Sequence, residues 1–134
     1  MMHTTTIEEQ LAKAGIQPTA QRIAICRFLF EGANHPTAED VKQWMDRNFP
    51  KVSLATVYNT LNLLVSHGLL KELRFQHDDR VVFDVNTVPH HHFLDEDTGE
   101  LIDLDEALVT VDARLAPEYE IHQVHTVLIG RRRG

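Results

Sequence analysis

Three consecutive histidines, His90-His91-His92, are the residues of this chain whose type and spacing point most directly to chemistry. On a strand, alternate side chains share a face, so His90 and His92 point together and His91 points away. Two imidazoles on one face are a ready pair of metal ligands. Downstream, Leu101-Ile102-Asp103-Leu104-Asp105 alternates too, setting Asp103 and Asp105 opposite the apolar Ile102 and Leu104. Upstream lie His35, just before a helix-capping threonine, and Asp84, at the end of a short β-type run. Of the other histidines, His3, His67 and His77 read as polar surface residues. His122 and His125, with His91, are a candidate second site for metal or haem, against the simpler reading of solvent-facing strand residues.

Other chemistries find less support. The single cysteine, Cys26, excludes an internal disulfide and a thiolate zinc cage within one chain. Its neighbours Ile23, Ile25, Leu29 and Phe30 mark a reduced core thiol. Two histidines and a carboxylate can form the facial triad of a non-haem iron oxygenase. Such an enzyme needs an enclosing barrel, and residues 81–134 are too few to build one. There is no nucleophile–base motif and no glycine-rich phosphate loop, so the expectation is not an enzyme. A metal-buffering protein without DNA function is a further rival. No apolar run approaches the roughly 20 residues that span a bilayer, and Met1-Met2-His3-Thr4 lacks a secretion signal pattern. A cytoplasmic protein with no membrane partner is expected.

Charge divides the chain. Over 134 residues the net charge is -7, with 43% hydrophobic residues, which suits one domain or two small ones. Residues 1–80 carry nine Lys/Arg and nine Asp/Glu, so the whole excess sits in residues 81–134. Between Asp95 and Asp112 there are eight acids and no base. A neutral half can approach phosphate while an acidic half need not.

The elements that must position these groups follow from caps and periodicity. Thr6-Ile7-Glu8-Glu9 has capping-box spacing and opens a helix ending at Gly15. Pro18-Thr19 starts a second, with Ile23, Cys26 and Phe30 on one stripe, closed by Gly32. Thr37-Ala38-Glu39-Asp40 caps a third, burying Val41, Trp44, Met45 and Phe49, and Pro50 stops it. Ser53 caps a fourth, in which Leu54, Val57, Tyr58, Leu61, Leu64 and Val65 form the apolar stripe and Ser53, Thr56, Asn59, Asn62 and Ser66 the polar face, up to Gly68. Leu69 to Phe75 and Arg80 to Val85 then read as a hairpin turning at Gln76-His77-Asp78-Asp79. Beyond a boundary near Asn86-Thr87-Val88-Pro89, the pattern predicts strands at His90–Leu94, Leu101–Leu104 and Ile121–Ile129, and a helix from about Glu106 to Leu115. The fold class expected is α+β: an N-terminal winged helix-turn-helix over 1–86 and a small C-terminal α/β domain over 87–134.

The fourth helix has the features of a DNA-reading element. It presents one apolar stripe for packing and short polar side chains for base edges and phosphates. Ser53, Thr56, Tyr58 and Asn59 occupy its first turns, where Asn and Thr can meet adenine edges or a thymine methyl. A plain surface helix with a polar outer face is the alternative.

Three segments, Gln17-Pro18-Thr19-Ala20-Gln21-Arg22, His35-Pro36-Thr37-Ala38-Glu39-Asp40 and Val52-Ser53-Leu54-Ala55-Thr56-Val57-Tyr58-Asn59-Thr60-Leu61, resemble signatures of the ferric uptake regulator (Fur) superfamily in order and spacing. The resemblance runs across nearly the whole chain. It implies a homodimeric winged-helix repressor of pseudo-palindromic, A·T-rich operators in double-stranded DNA, with Tyr58 and its neighbours on DNA and Lys13 near a minor groove. Many members have Arg after the Tyr; Asn59 stands here, so operator preference is expected to differ. The resemblance also implies that His35, Asp84, His90, His92 and Asp103 are the five ligands of a regulatory site. Three nitrogens and two carboxylates suit Fe(II) or Mn(II), and Zn(II) binds such donors as well. Aspartate rather than glutamate at 84 and 103 is similar to the peroxide-sensing and iron response regulator branches.

The sequence departs from the family where many members carry two Cys-x-x-Cys pairs for a structural zinc. The first pair aligns with Asp95 and Thr98, and the second with the tail Arg131-Arg132-Arg133, so no structural zinc held by four cysteines is expected and the arginine tail reads as a solvated end. Missing cysteines with a His-His-His-Phe segment look like the iron response regulator branch, in which the triple histidine is linked to haem. No Cys-Pro haem motif occurs, and haem ligation through His91 or a neighbour stays open. The function implied is a metal-responsive regulator of iron homeostasis, with peroxide sensing by Fe(II)-catalysed oxidation of His35 or His90 as the alternative.

Overall fold

Four hydroxyl side chains start the four helices of a computed structural model that describes residues 6–49, 51–75 and 78–133. The oxygens of Thr6, Thr19, Thr37 and Ser53 accept the backbone N–H of Glu9, Arg22, Asp40 and Thr56 at 3.2, 3.2, 3.1 and 3.1 Å. Each cap satisfies a donor the helix cannot, contributing about 1 kcal/mol. They open α1 (Ile7–Lys13), α2 (Ala20–Phe30), α3 (Ala38–Asn48) and α4 (Leu54–Ser66). Asp40 completes the box on α3 by accepting the Thr37 N–H at 2.9 Å. Gly15 and Gly68, at φ 84° and 78°, turn the chain out of α1 and α4, a backbone that glycine adopts without strain. The expectations for His3, Pro50, Gln76 and His77 fall outside the described residues.

The chain divides into two units, Met1–Thr87 and Val88–Gly134. The core of the first is the stripe of each helix: Leu11, Ile25, Leu29, Val41, Met45, Val57, Leu61 and Leu64, closed by Phe83. Strands β1 (Lys71–Phe75) and β2 (Asp78–Asp84) form an antiparallel wing, with Leu73 opposite Val82 and Glu72 opposite Phe83. Helices followed by a two-stranded wing make this a winged helix-turn-helix. On α4 the stripe is narrower than the periodicity predicts. Leu54 and Tyr58 face outward, while Thr60 is buried, because the i, i+4 pair 54/58 sits on the flank of the packed face.

Cys26 is fully buried on α2, and burial pushes its thiol up to about 11. The folded state therefore favours the neutral thiol, a preference intact below the ordinary thiol range and lost as pH rises through that raised value. Alkylation of the native protein at pH 8, followed by mass spectrometry, is expected to leave Cys26 unlabelled until denaturant is added. Rapid native labelling would mean that α2 is not packed in this way.

The second unit is a three-stranded sheet in the order β4-β3-β5. β3 (His91–Asp95) pairs antiparallel with β4 (Leu101–Leu104) and parallel with β5 (Val127–Gly130). Two expectations are corrected here. The helix from Glu106 to Leu115 is only a 3-10 turn, Glu106–Leu108, and the last strand covers Val127–Gly130 rather than Ile121–Ile129. Residues 109–126 contain neither helix nor strand. An isolated helix of ten residues is marginal without packing, and the β-branched run Val109-Thr110-Val111 lowers its propensity. Leu108, Val111 and Leu115, which would form its apolar stripe, are exposed.

Candidate metal centre and nucleic-acid face

Backbone strain and one wing contact prepare the first pair of donors. His35 is the one non-glycine residue with positive φ among those described, at 48°, a conformation histidine tolerates better than bulky residues but at a cost. Beside it, the Phe83 N–H donates to the Pro36 carbonyl at 2.9 Å, tying β2 to the segment that starts α3. Their neighbours then meet: His35 Nε2 lies 3.4 Å from Asp84 Oδ2, both side chains over nine-tenths buried. The other His35 nitrogen is 2.7 Å from Asn34 Oδ1.

The second set assembles on the sheet. β3–β4 pairing sets His92 opposite Asp103. His90 Nε2 and His92 Nε2 converge on one oxygen, Asp103 Oδ1, at 3.3 and 3.1 Å. His90 Nδ1 is 2.6 Å from the Val88 carbonyl. A carbonyl only accepts, so Nδ1 carries a proton and Nε2 is the nitrogen turned toward Asp103. Nε2 faces a carboxylate oxygen, so the pair presents one nitrogen and one oxygen donor at the same point. Two ligands at about 2.1 Å from an ion and at right angles stand about 3 Å apart, close to the spacings in both donor sets. The residues fit a divalent metal.

On the far side of His92, Nδ1 is 2.8 Å from His125 Nε2. Metal-binding imidazoles commonly engage their second nitrogen in this way, which holds the ring. His125 reaches this place because β5 runs parallel to β3, with His92 opposite Val127, a pairing that no local spacing reveals. The candidate second group does not share one set of partners. His91 is buried, and its Nδ1 accepts from the Thr126 N–H and lies 2.8 Å from the Thr126 hydroxyl. His122 is exposed, 3.9 Å from Glu120. Asp105 accepts the Ala107 N–H at 2.8 Å and caps the 3-10 turn.

The positions aligned with the missing cysteines hold a polar clasp. Asp95 is buried, and its Oδ1 accepts the N–H groups of Asp97 and Thr98 at 3.0 and 3.4 Å. Its Oδ2 is 3.5 Å from Arg132 Nη1, which also reaches Glu100 at 3.3 Å. The Glu96 N–H donates to the Gly130 carbonyl at 2.8 Å. Arg132 is therefore not merely a solvated end: it ties the chain beyond β5 to the β3–β4 turn. Asp95→Ala leaves two turn N–H groups and the Arg132 contact without their acceptor, and is expected to cost about 1–3 kcal/mol, measured by thermal unfolding. An unchanged midpoint would show that the clasp is incidental.

On the nucleic-acid side, α4 exposes Tyr58 and Asn59. The Ser53 and Thr56 hydroxyls are 3.0 Å apart, and Ser53 caps the helix by accepting the Thr56 N–H. Lys13 is exposed in the last turn of α1. Tyr58 Oη donates to Glu39 Oε1 at 3.0 Å. That hydrogen bond, then burial and the Glu39 charge, raise the phenol above its ordinary range.

Comparison with known proteins places this geometry. The Ferric uptake regulator family profile matches residues 13–129. A peroxide-responsive repressor PerR of Staphylococcus epidermidis is 40% identical over 100 residues, 72% of this chain and 66% of that protein. Its counterpart in Staphylococcus aureus strain Mu50 is 38% identical over 113 residues, 82% of this chain and 76% of that protein. Among solved structures, the ferric uptake regulator of Pseudomonas aeruginosa with manganese superposes with TM-score 0.72 at 27% identity, covering 97% of this chain and all of that one. PerR from Streptococcus pyogenes gives 0.55 at 26% identity, covering 94% and 88%. With the winged helix-turn-helix and the histidine–carboxylate sets in place, the chain belongs to the ferric uptake regulator family, whose members are metal-responsive DNA-binding regulators.

Proposed function

We propose that this chain is a cytoplasmic, homodimeric transcriptional repressor, not an enzyme, whose grip on operator DNA is tightened by one divalent metal ion. The ion is Fe(II), Mn(II) or Zn(II), and its ligands are His35, Asp84, His90, His92 and Asp103. The observation that carries the reading is the convergence of His90 and His92 on one Asp103 oxygen. The DNA-binding unit contributes two donors and the sheet three. Half-site spacing is a strict geometric requirement of dimeric readers, so metal and operator affinity become reciprocally coupled.

The DNA face comprises Ser53, Thr56, Tyr58 and Asn59, with Lys13 at the adjoining minor groove, on an A·T-rich pseudo-palindrome. The exposed apolar residues Val111, Leu115, Ile121 and Val124 supply a surface for a second copy. In the direct test, operator affinity is compared at fixed salt for apo, Mn(II), Fe(II) and haem-treated protein. Tightening by a divalent ion supports the reading, and loosening by haem places it in iron homeostasis. Binding that ignores every metal overturns the coupling.

A second reading is favoured by the PerR relatives. In it, Fe(II) promotes oxidation of His35 or His90 by peroxide. Mass spectrometry should then find one added oxygen on a histidine with Fe(II) but not with Mn(II).

A further inference from the structure

We propose that Glu39 sets what Tyr58 can recognise: by holding the phenolic proton it makes Tyr58 a hydrogen-bond acceptor and apolar ring toward DNA bases, and withholds it from phosphates. The inference rests on the reading that α4 enters the major groove. Its basis is one contact between helices, Tyr58 Oη to Glu39 Oε1 at 3.0 Å, spanning 19 residues of sequence.

Glu39 lies in the first turn of α3, where the Thr37–Asp40 box fixes the backbone. Asp40 is committed to the Thr37 N–H and Asp46 pairs with Lys42, so Glu39 is the acid of that face that meets the recognition helix. Tyr58 keeps 37% of its surface exposed. Its hydroxyl is thus anchored without the ring being covered.

A phenol has one proton. While that proton goes to an ionised carboxylate, which only accepts, the oxygen has only lone pairs left to offer. Phosphate oxygens also only accept, so Tyr58 cannot donate to the DNA backbone in this state. The charge of Glu39 at the same spot repels phosphate further. The groups that remain complementary are the amino groups of adenine N6 and cytosine N4, and the thymine methyl against the ring. The contact converts a side chain that could anchor anywhere on DNA into one that discriminates among bases. Glu39 is a positioning residue, acting on DNA through Tyr58.

The experiment uses full-length, Mn(II)-loaded protein and a duplex that the wild-type protein itself selects from a randomised pool, beside a scrambled duplex of equal composition. Glu39→Ala frees the phenolic proton. It is expected to raise scrambled-duplex affinity and to lower the selected-to-scrambled ratio roughly tenfold, as losing one base contact would. Glu39→Gln keeps an acceptor and should retain most of the ratio. In a Tyr58→Phe background, Glu39→Ala should leave the ratio unchanged, because there is no hydroxyl to release. If Glu39→Ala lowers the ratio equally with and without the hydroxyl, or not at all, the proposal is overturned and Glu39 acts at most through its charge. If no duplex is selected, or Tyr58→Ala and Asn59→Ala leave selected-duplex affinity unchanged, the placement of α4 fails first and takes the proposal with it.

Discussion

The His92→Ala protein is expected to lose divalent-metal affinity by at least about a hundredfold, since disturbing even the groups that orient a ligand costs about 10–100-fold. His92 is almost fully buried, shares Asp103 Oδ1 with His90 and is held from behind by His125. Removing it deletes one donor and leaves His125 without that contact. Metal-dependent tightening on operator DNA should vanish in parallel, while the weak binding of the apo protein persists. Because a buried imidazole also fills space, thermal unfolding of the apo proteins must accompany the titration. Asp103→Asn provides the control: Asp103 is 39% exposed, so its replacement should leave apo stability nearly unchanged yet weaken Mn(II) binding. Calorimetric titration showing wild-type Mn(II) affinity in both variants would refute the assignment of these residues as ligands.

Joint replacement of Tyr58 and Asn59 by Ala should cost about 1–3 kcal/mol per half-site. A dimer on a palindrome meets each substitution twice, so the total approaches about 2–6 kcal/mol. Both side chains are exposed on α4, so unfolding temperature should move little. Leu61, fully buried on the packed face of the same helix, provides the contrast: Leu61→Ala is expected to lose about 2–5 kcal/mol of stability. Fluorescence anisotropy on an operator duplex, read beside thermal melts, separates the two effects. Equal DNA affinity for the double variant and the wild type would show that α4 does not read the groove.

Much of this protein is legible in its sequence because the information is local. The caps at Thr6, Thr37 and Ser53 depend on a residue three places away, and the helical stripes on neighbours three and four places away. Strand alternation likewise separates His91 from His90 and His92. The expectation that His35, Asp84 and Asp103 join His90 and His92 as metal ligands, and that Lys13 lies near DNA, came by contrast from resemblance to a family, since no spacing links His35 to Asp103. Tertiary structure decided the rest. Glu39 meets Tyr58 only because α3 packs on α4, and His125 reaches His92 only because β5 returns parallel to β3. Arg132 closes on Asp95 by the same strand return, so two apparently idle positions became a clasp. The helix expected from Glu106 failed for the converse reason: its apolar stripe has nothing in its own unit to pack against. Local hydrogen bonding and periodicity are written in neighbouring residues, whereas the partner of a buried donor, or of an apolar stripe, is settled only when distant segments are brought together.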